Sequence, residues 1–127
     1  MKNASDYARL VSQPPPSTGA IVFLADPLSF NLRAQLVDFS AKHRVLAIYQ
    51  QRTYVDAGGL MSYGMDDVAV GRRVAELVDK ILRGTHPAEL PVEQPTTFEL
   101  VINLKTAKAL GLTIPPSLLA RADQIIE

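Results

Sequence analysis

Residues 91–127 read PVEQPTTFELVINLKTAKALGLTIPPSLLARADQIIE, and their punctuation divides them into elements. Pro91 and Pro95 lack a backbone donor and resist helix, so the chain enters this stretch extended. Thr96 to Leu104 is rich in β-branched and aromatic residues and places Phe98, Leu100 and Ile102 on one face of a strand. Asn103 can cap a short helix over 104–110, and Gly111 accepts the left-handed geometry that ends it. Pro115 and Pro116 then open a final helix with their fixed φ. Its stripe would hold Leu118, Leu119, Ala122, Ile125 and Ile126. The residues alone predict strand, helix, helix, and no chemistry.

Working upstream, Asp66 or Asp67 can cap the longest helix, about 67–83. Val70, Val74, Leu77, Val78 and Ile81 lie on its apolar side, and Gly84 with Pro87 marks its end. A short strand, LMSY at 60–63, precedes it, and a polar connection, QQRTYVDAGG, precedes that. VLAIY at 45–49 and AIVFL at 20–24 are continuous apolar runs of strand length, as expected for strands covered on both faces. Between them Ser29 or Asn31 can cap a helix to about Lys42, with Leu32, Leu36 and Phe39 inward. This β-α-β spacing implies parallel strands joined by a right-handed crossover. Residues 4–12 can form a first helix with Tyr7, Leu10 and Val11 on one side, and PPPSTG at 14–19 is a loop. The order predicts an α/β fold, a mostly parallel sheet flanked by helices, in a single domain over 1–127.

The composition narrows the partners. Thirteen basic residues balance thirteen acidic ones, so no net field draws nucleic acid or an anionic membrane. An apolar content of 47% is that of a globular chain. Without cysteine, disulfides and thiolate chemistry are excluded. The first twenty residues lack the apolar core of a secretory signal. A cytoplasmic location is therefore expected for the chain as written.

FELVINLKTAKALGLTIPPSLLARAD, with GGLMSYG at 58–64, GRRVAELVDKILRG at 71–84 and AKHRVLAIY at 41–49, resembles the ABC-transporter substrate-binding proteins related to tryptophan and tyrosine binders. The resemblance covers the C-terminal part of such a protein. It implies part of a type-I periplasmic binding-protein lobe, and for full-length relatives a second lobe, a permease partner and a periplasmic or membrane-anchored location. The implied mechanism is closure of two lobes on a small amino-acid-like solute, with no bond made or broken and no cofactor.

Open parallel sheets bind ligands beyond the carboxyl ends of their strands. Those ends carry Asp26, Gln50 and Ser62-Tyr63-Gly64. Asp26 could hold a ligand ammonium, Ser62 and the amides near Gly64 a carboxylate, and Tyr63 could stack on an aromatic group. The resemblance points to the same positions. The plainer reading stays open: Asp26-Pro27 breaks a strand and Gly58-Gly59 makes a turn.

Other candidates are structural. His43 and His86 lack metal-ligand spacing. Asp66-Asp67 suits a cap better than a carboxylate dyad, and Arg72-Arg73 suits the polar face of a helix. Gly58-Gly59 is not GxGxxG and has no Walker lysine. Ser12, Ser17, Ser40 and Ser117 lack a nucleophile-elbow context. No catalytic constellation emerges, and the chain is expected not to be an enzyme. The alternative to solute binding is a non-catalytic interaction module that folds by self-association. Either way, the stripe Val70, Val74, Leu77, Val78 and Ile81 predicts a homodimer, with the helix at 67–83 in the interface.

Overall fold

The computed structural model describes residues 4–12 and 19–127. The loop expected at 14–19 lies, apart from Gly19, outside the described residues. Helix α1 (Ala4–Ser12) leads to strand β1 (Ala20–Phe23), helices α2 (Pro27–Asn31) and α3 (Arg33–Lys42), and strand β2 (Leu46–Tyr49). A short helix α4 (Arg52–Asp56), strand β3 (Met61–Met65) and the long helix α5 (Asp67–Leu82) follow. After a 3-10 turn at Pro87–Glu89 come β4 (Phe98–Asn103), α6 (Leu104–Ala109), α7 (Pro116–Leu119) and β5 (Gln124–Ile126).

The five strands form one sheet in the order β1-β2-β3-β4-β5. β1 and β2, β2 and β3, and β4 and β5 pair in parallel. Asn103 N donates to Leu60 O and Asp66 N donates to Thr97 O. Residue numbers therefore rise on one strand as they fall on the other, and β3 and β4 run antiparallel. The mostly parallel sheet flanked by helices matches the expectation.

The chain divides into two units. The first, Met1–Gly64 with Glu99–Glu127, holds the core. Phe23, Leu36, Val37, Ala47, Tyr49 and Tyr54 are buried together with Tyr7, and the rings of Phe23, Tyr49 and Tyr54 stack in sequence. The register sets Phe23 beside Tyr49 and Tyr49 beside Ser62, so all three side chains point to the same face of the sheet.

Several expectations are corrected in this unit. AIVFL is covered on one face only: Phe23 is buried, whereas Val22 and Leu24 are 65% and 69% exposed. The helix after β1 starts earlier than expected and breaks at Leu32. Asp26, not Ser29 or Asn31, is its cap, because its carboxylate accepts from Leu28 N and Ser29 N while Ser29 returns a capping-box contact. The polar connection QQRTYVDAGG contains α4, with Tyr54 and Val55 buried. The expected final helix stops at Leu119. Asp123 exchanges bonds with Leu100, its N–H to the Leu100 carbonyl and its carboxylate from the Leu100 N–H. That pairing turns Gln124–Ile126 into β5, and pairing with β4 outweighs the helical spacing of a short apolar run.

Asn103 caps α6 through Thr106 N at 3.0 Å, and Gly111 adopts φ +74°, both as expected.

The second unit, Met65–Phe98, is α5, the 3-10 turn and an extended return. Asp66 caps α5 through Val68 N and Ala69 N. Arg73 bonds both Glu76 and Glu93, tying the helix to its return segment. None of the residues in this unit is buried. The stripe predicted on α5 is present, with Val74, Val78 and Ile81 exposed. Val70, Val74 and Leu77 border a groove of about 470 Å³ against Pro95 and Thr96.

Candidate solute-binding site

β1 and β2 end side by side, and their ends are stitched together. Gln50 N donates to Phe23 O at 3.1 Å, and Ala25 N donates to Gln50 Oε1 at 2.8 Å. Beyond β1, Asp26 is held on three sides. Oδ1 accepts from Leu28 N and Ser29 N, each at 3.0 Å, and Oδ2 accepts from Tyr7 OH at 2.6 Å. The Tyr7 hydroxyl, followed by the Ser29 contacts, lowers the Asp26 pKa to about 2. Asp26 is thus ionised across the physiological range, and its charge anchors α1 to the start of α2.

Gly64 lies against the backbone of Gln50 so closely that a Cβ there would overlap the Gln50 carbonyl. Asp26, Gln50 and Gly64 are therefore brought together at the strand ends. Ser62 and Tyr63 are not brought together with each other. As consecutive strand residues they point to opposite faces, Ser62 buried on the Tyr49 side and Tyr63 exposed on the other.

Sequence reasoning missed Tyr7 and Tyr54. Tyr7 reaches Asp26 across nineteen positions, and Tyr54 stacks on Tyr49 with centroids 4.8 Å apart. Burial raises the pKa of both phenols, as it does for Tyr49. Local spacing carries no signal for either contact. The one clue was a pair of apolar residues, Tyr54 and Val55, inside a polar stretch.

The model of the family described as ABC transporter substrate binding protein matches residues 1–126. The chain belongs to this family. Members of this substrate-binding family bind solutes without catalysis. A conserved domain protein from Vibrio cholerae O1 biovar El Tor is similar over 84% of this chain, with 30% identity and a TM-score of 0.78. An ABC domain from Streptococcus pneumonia, solved in complex with L-Trp, is similar over 96% of the chain, with 29% identity and a TM-score of 0.82. The ligand-free, open structure of a Clostridium difficile substrate-binding protein with adhesive properties shares the fold over 99% of the chain, at 17% identity and a TM-score of 0.67. The chain spans 36%, 40% and 42% of these three proteins, respectively. No curated protein matches it. Among the described residues no helix is long and apolar enough to cross a membrane.

Proposed function

We propose that this chain forms one wall of a solute cleft in an ABC-type importer and captures a small amino-acid-like ligand without catalysis. The observation that carries this reading is the meeting of Asp26, Gln50 and Gly64 at the carboxyl ends of β1, β2 and β3, where open sheets place their ligands. The L-Trp complex of a substrate-binding relative at 29% identity supports the solute class. Because Asp26 already has three donors, its role toward a ligand ammonium is long-range attraction and backbone placement rather than a private ion pair. Tyr63 offers an exposed ring on the face away from Ser62. The permease that would receive the solute is the partner expected of the family.

The test is titration of the chain with the twenty amino acids at millimolar concentration, read by thermal shift and amide chemical-shift changes. Binding to the folded state must raise the melting temperature, and the shifted amides should cluster at 24–26, 50–54 and 62–64. No stabilisation and no shift by any of them would reject the reading.

A second reading, that the chain pairs with a copy of itself, is favoured by Met65–Phe98, where no residue is buried. A helix with an apolar stripe is stable in water only when something covers the stripe. The spacing of Val70, Val74, Leu77 and Ile81 alternates four and three residues, the seam of two helices packed together. An antiparallel second copy sets the acidic start of one helix, at Asp67, against the basic end of the other, at Lys80. The two readings draw on different residues, the stripe on α5 and the ends of β1, β2 and β3.

A further inference from the structure

The return segment after the 3-10 turn is held to α5 at few points. Pro91 and Pro95 lack an N–H and keep it extended. Among the described residues, no hydrogen bond between backbone groups is made from Pro91 to Thr96. At the far end Thr97 O accepts from Asp66 N at 3.2 Å. In between stands an ionic clip. Arg73 Nε and Nη2 donate to the two carboxylate oxygens of Glu93, and Arg73 Nη1 donates to Glu76 Oε2. Arg73, chiefly through its hydrogen bond, holds the Glu93 pKa below the ordinary glutamate range, so the clip is charged at neutral pH.

The clip also sets a spacing. An arginine side chain bridges helix and return, so the return stands off the helix and leaves the groove of about 470 Å³. Val70, Val74 and Leu77 line it on the helix, and Pro95 and Thr96 on the return. Arg73 is three residues after Val70 and four before Leu77, so on the helix surface it neighbours the apolar seam.

We propose that this groove receives the C-terminal half of α5 from a second copy, and that Arg73 is the positioning residue that holds it open, a proposal that rests on the self-association reading. Spacing and charge select this occupant. In an antiparallel pair centred between Val74 and Leu77, Val70 comes opposite Ile81 of the second copy. The groove runs along Val70–Leu77. It therefore faces the half-helix that carries Val78, Ile81 and Leu82, all exposed. The charges match as well. Arg73 with Glu76 and Glu93 sets one cation against two anions, and the arriving half-helix carries Lys80 in its last turn. Without Glu93 that negative surplus disappears. An apolar seam alone is not weakened by salt. One whose groove depends on an exposed ion pair is weakened, because salt screens such pairs.

The experiment measures the dimer dissociation constant by light scattering for the unaltered chain, for Glu93→Gln, and for the exchanged pair Arg73→Glu with Glu93→Arg. Each is measured in about 0.05 M and about 0.5 M sodium chloride, and circular dichroism reports whether α5 stays helical. The unaltered dimer should weaken about fivefold at high salt, the top of what an exposed ion pair contributes. Glu93→Gln should be about fivefold weaker already at low salt, with a smaller further loss at high salt and unchanged helicity. The exchanged pair keeps the net charge and rebuilds the clip in reverse, so it should recover most of the low-salt affinity. Equal affinity in all three chains would overturn the groove and leave self-association standing. A loss in Glu93→Gln that the exchanged pair does not recover, or one accompanied by lost helicity, would overturn the clip. An unaltered chain that stays monomeric from low to high micromolar concentration would reject both the groove and self-association.

Discussion

The Gln50 carbonyl occupies the space that a Cβ on Gly64 would need. Two neighbouring strands approach there because one of them has no side chain, and both residues stand at the candidate cleft. Gly64→Ala must push β3 from β2. The expected cost is about 3 kcal/mol, the upper end of overpacking penalties, read from chemical denaturation. Gly71 is the contrast, since a Cβ there meets nothing and the residue lies inside α5. Gly71→Ala should stabilise by about 0.5–1 kcal/mol through helix propensity.

Acid should unfold the protein partly through Asp26. Its folded pKa is lowered to about 2 from an ordinary 3.8. The stability this gives is therefore present above about pH 4 and is lost as pH falls toward 2. Asp26→Asn should flatten that part of a stability-versus-pH curve, and Tyr7→Phe should flatten it partially. A curve for Asp26→Asn parallel to that of the unaltered chain would remove Asp26 from the acid transition. At the alkaline end the sign reverses. Tyr7, Tyr49 and Tyr54 have raised pKa values, so their contribution is intact below pH 10 and declines as pH rises through their folded values.

Asn103 ends β4 and caps α6 in one residue, and it is buried. Asn103→Ala should cost about 1–2 kcal/mol, the usual loss for a helix cap. Asn103→Asp should recover part of that loss, because a carboxylate accepts from Thr106 N equally well. Urea midpoints for the three chains decide it.

Self-association through α5 predicts a mass that changes on dilution. Light scattering from high to low micromolar concentration should pass from dimer toward monomer. Val74→Asp combined with Ile81→Asp should leave a monomer at every concentration, since burying each such side chain is worth about 1.5–3 kcal/mol. Unchanged mass and unchanged melting temperature in the double variant would mean that the stripe is not an interface.

Most of the architecture was legible because long apolar runs and cap residues act locally. Asp66, Asn103, Gly84 and Gly111 each do their work within four residues of themselves. What failed needed partners far away in sequence. β5 exists because Leu100 is there to pair with Asp123, and a three-residue strand has no period of its own to detect. The one-sided burial of AIVFL depends on which face the helices cover, and an apolar run does not specify that. At the site, spacing found the strand ends but could not see that Asp26 would be taken up by Tyr7. Nor could alternation place Ser62 and Tyr63 on one side, since a strand separates any two neighbours.

Asp66 N meets Thr97 O at 3.2 Å, so the chain leaves the sheet and re-enters it at adjacent points. In construction terms, residues 67–96 are a cassette plugged into a hairpin. Replacing them with Asn-Gly would join β3 to β4 by the tightest antiparallel turn, with every strand of the sheet still present. A protein assembled this way can exchange or elaborate the cassette without re-registering the strands of the sheet, and the shortened chain should keep its slow-exchanging sheet amides.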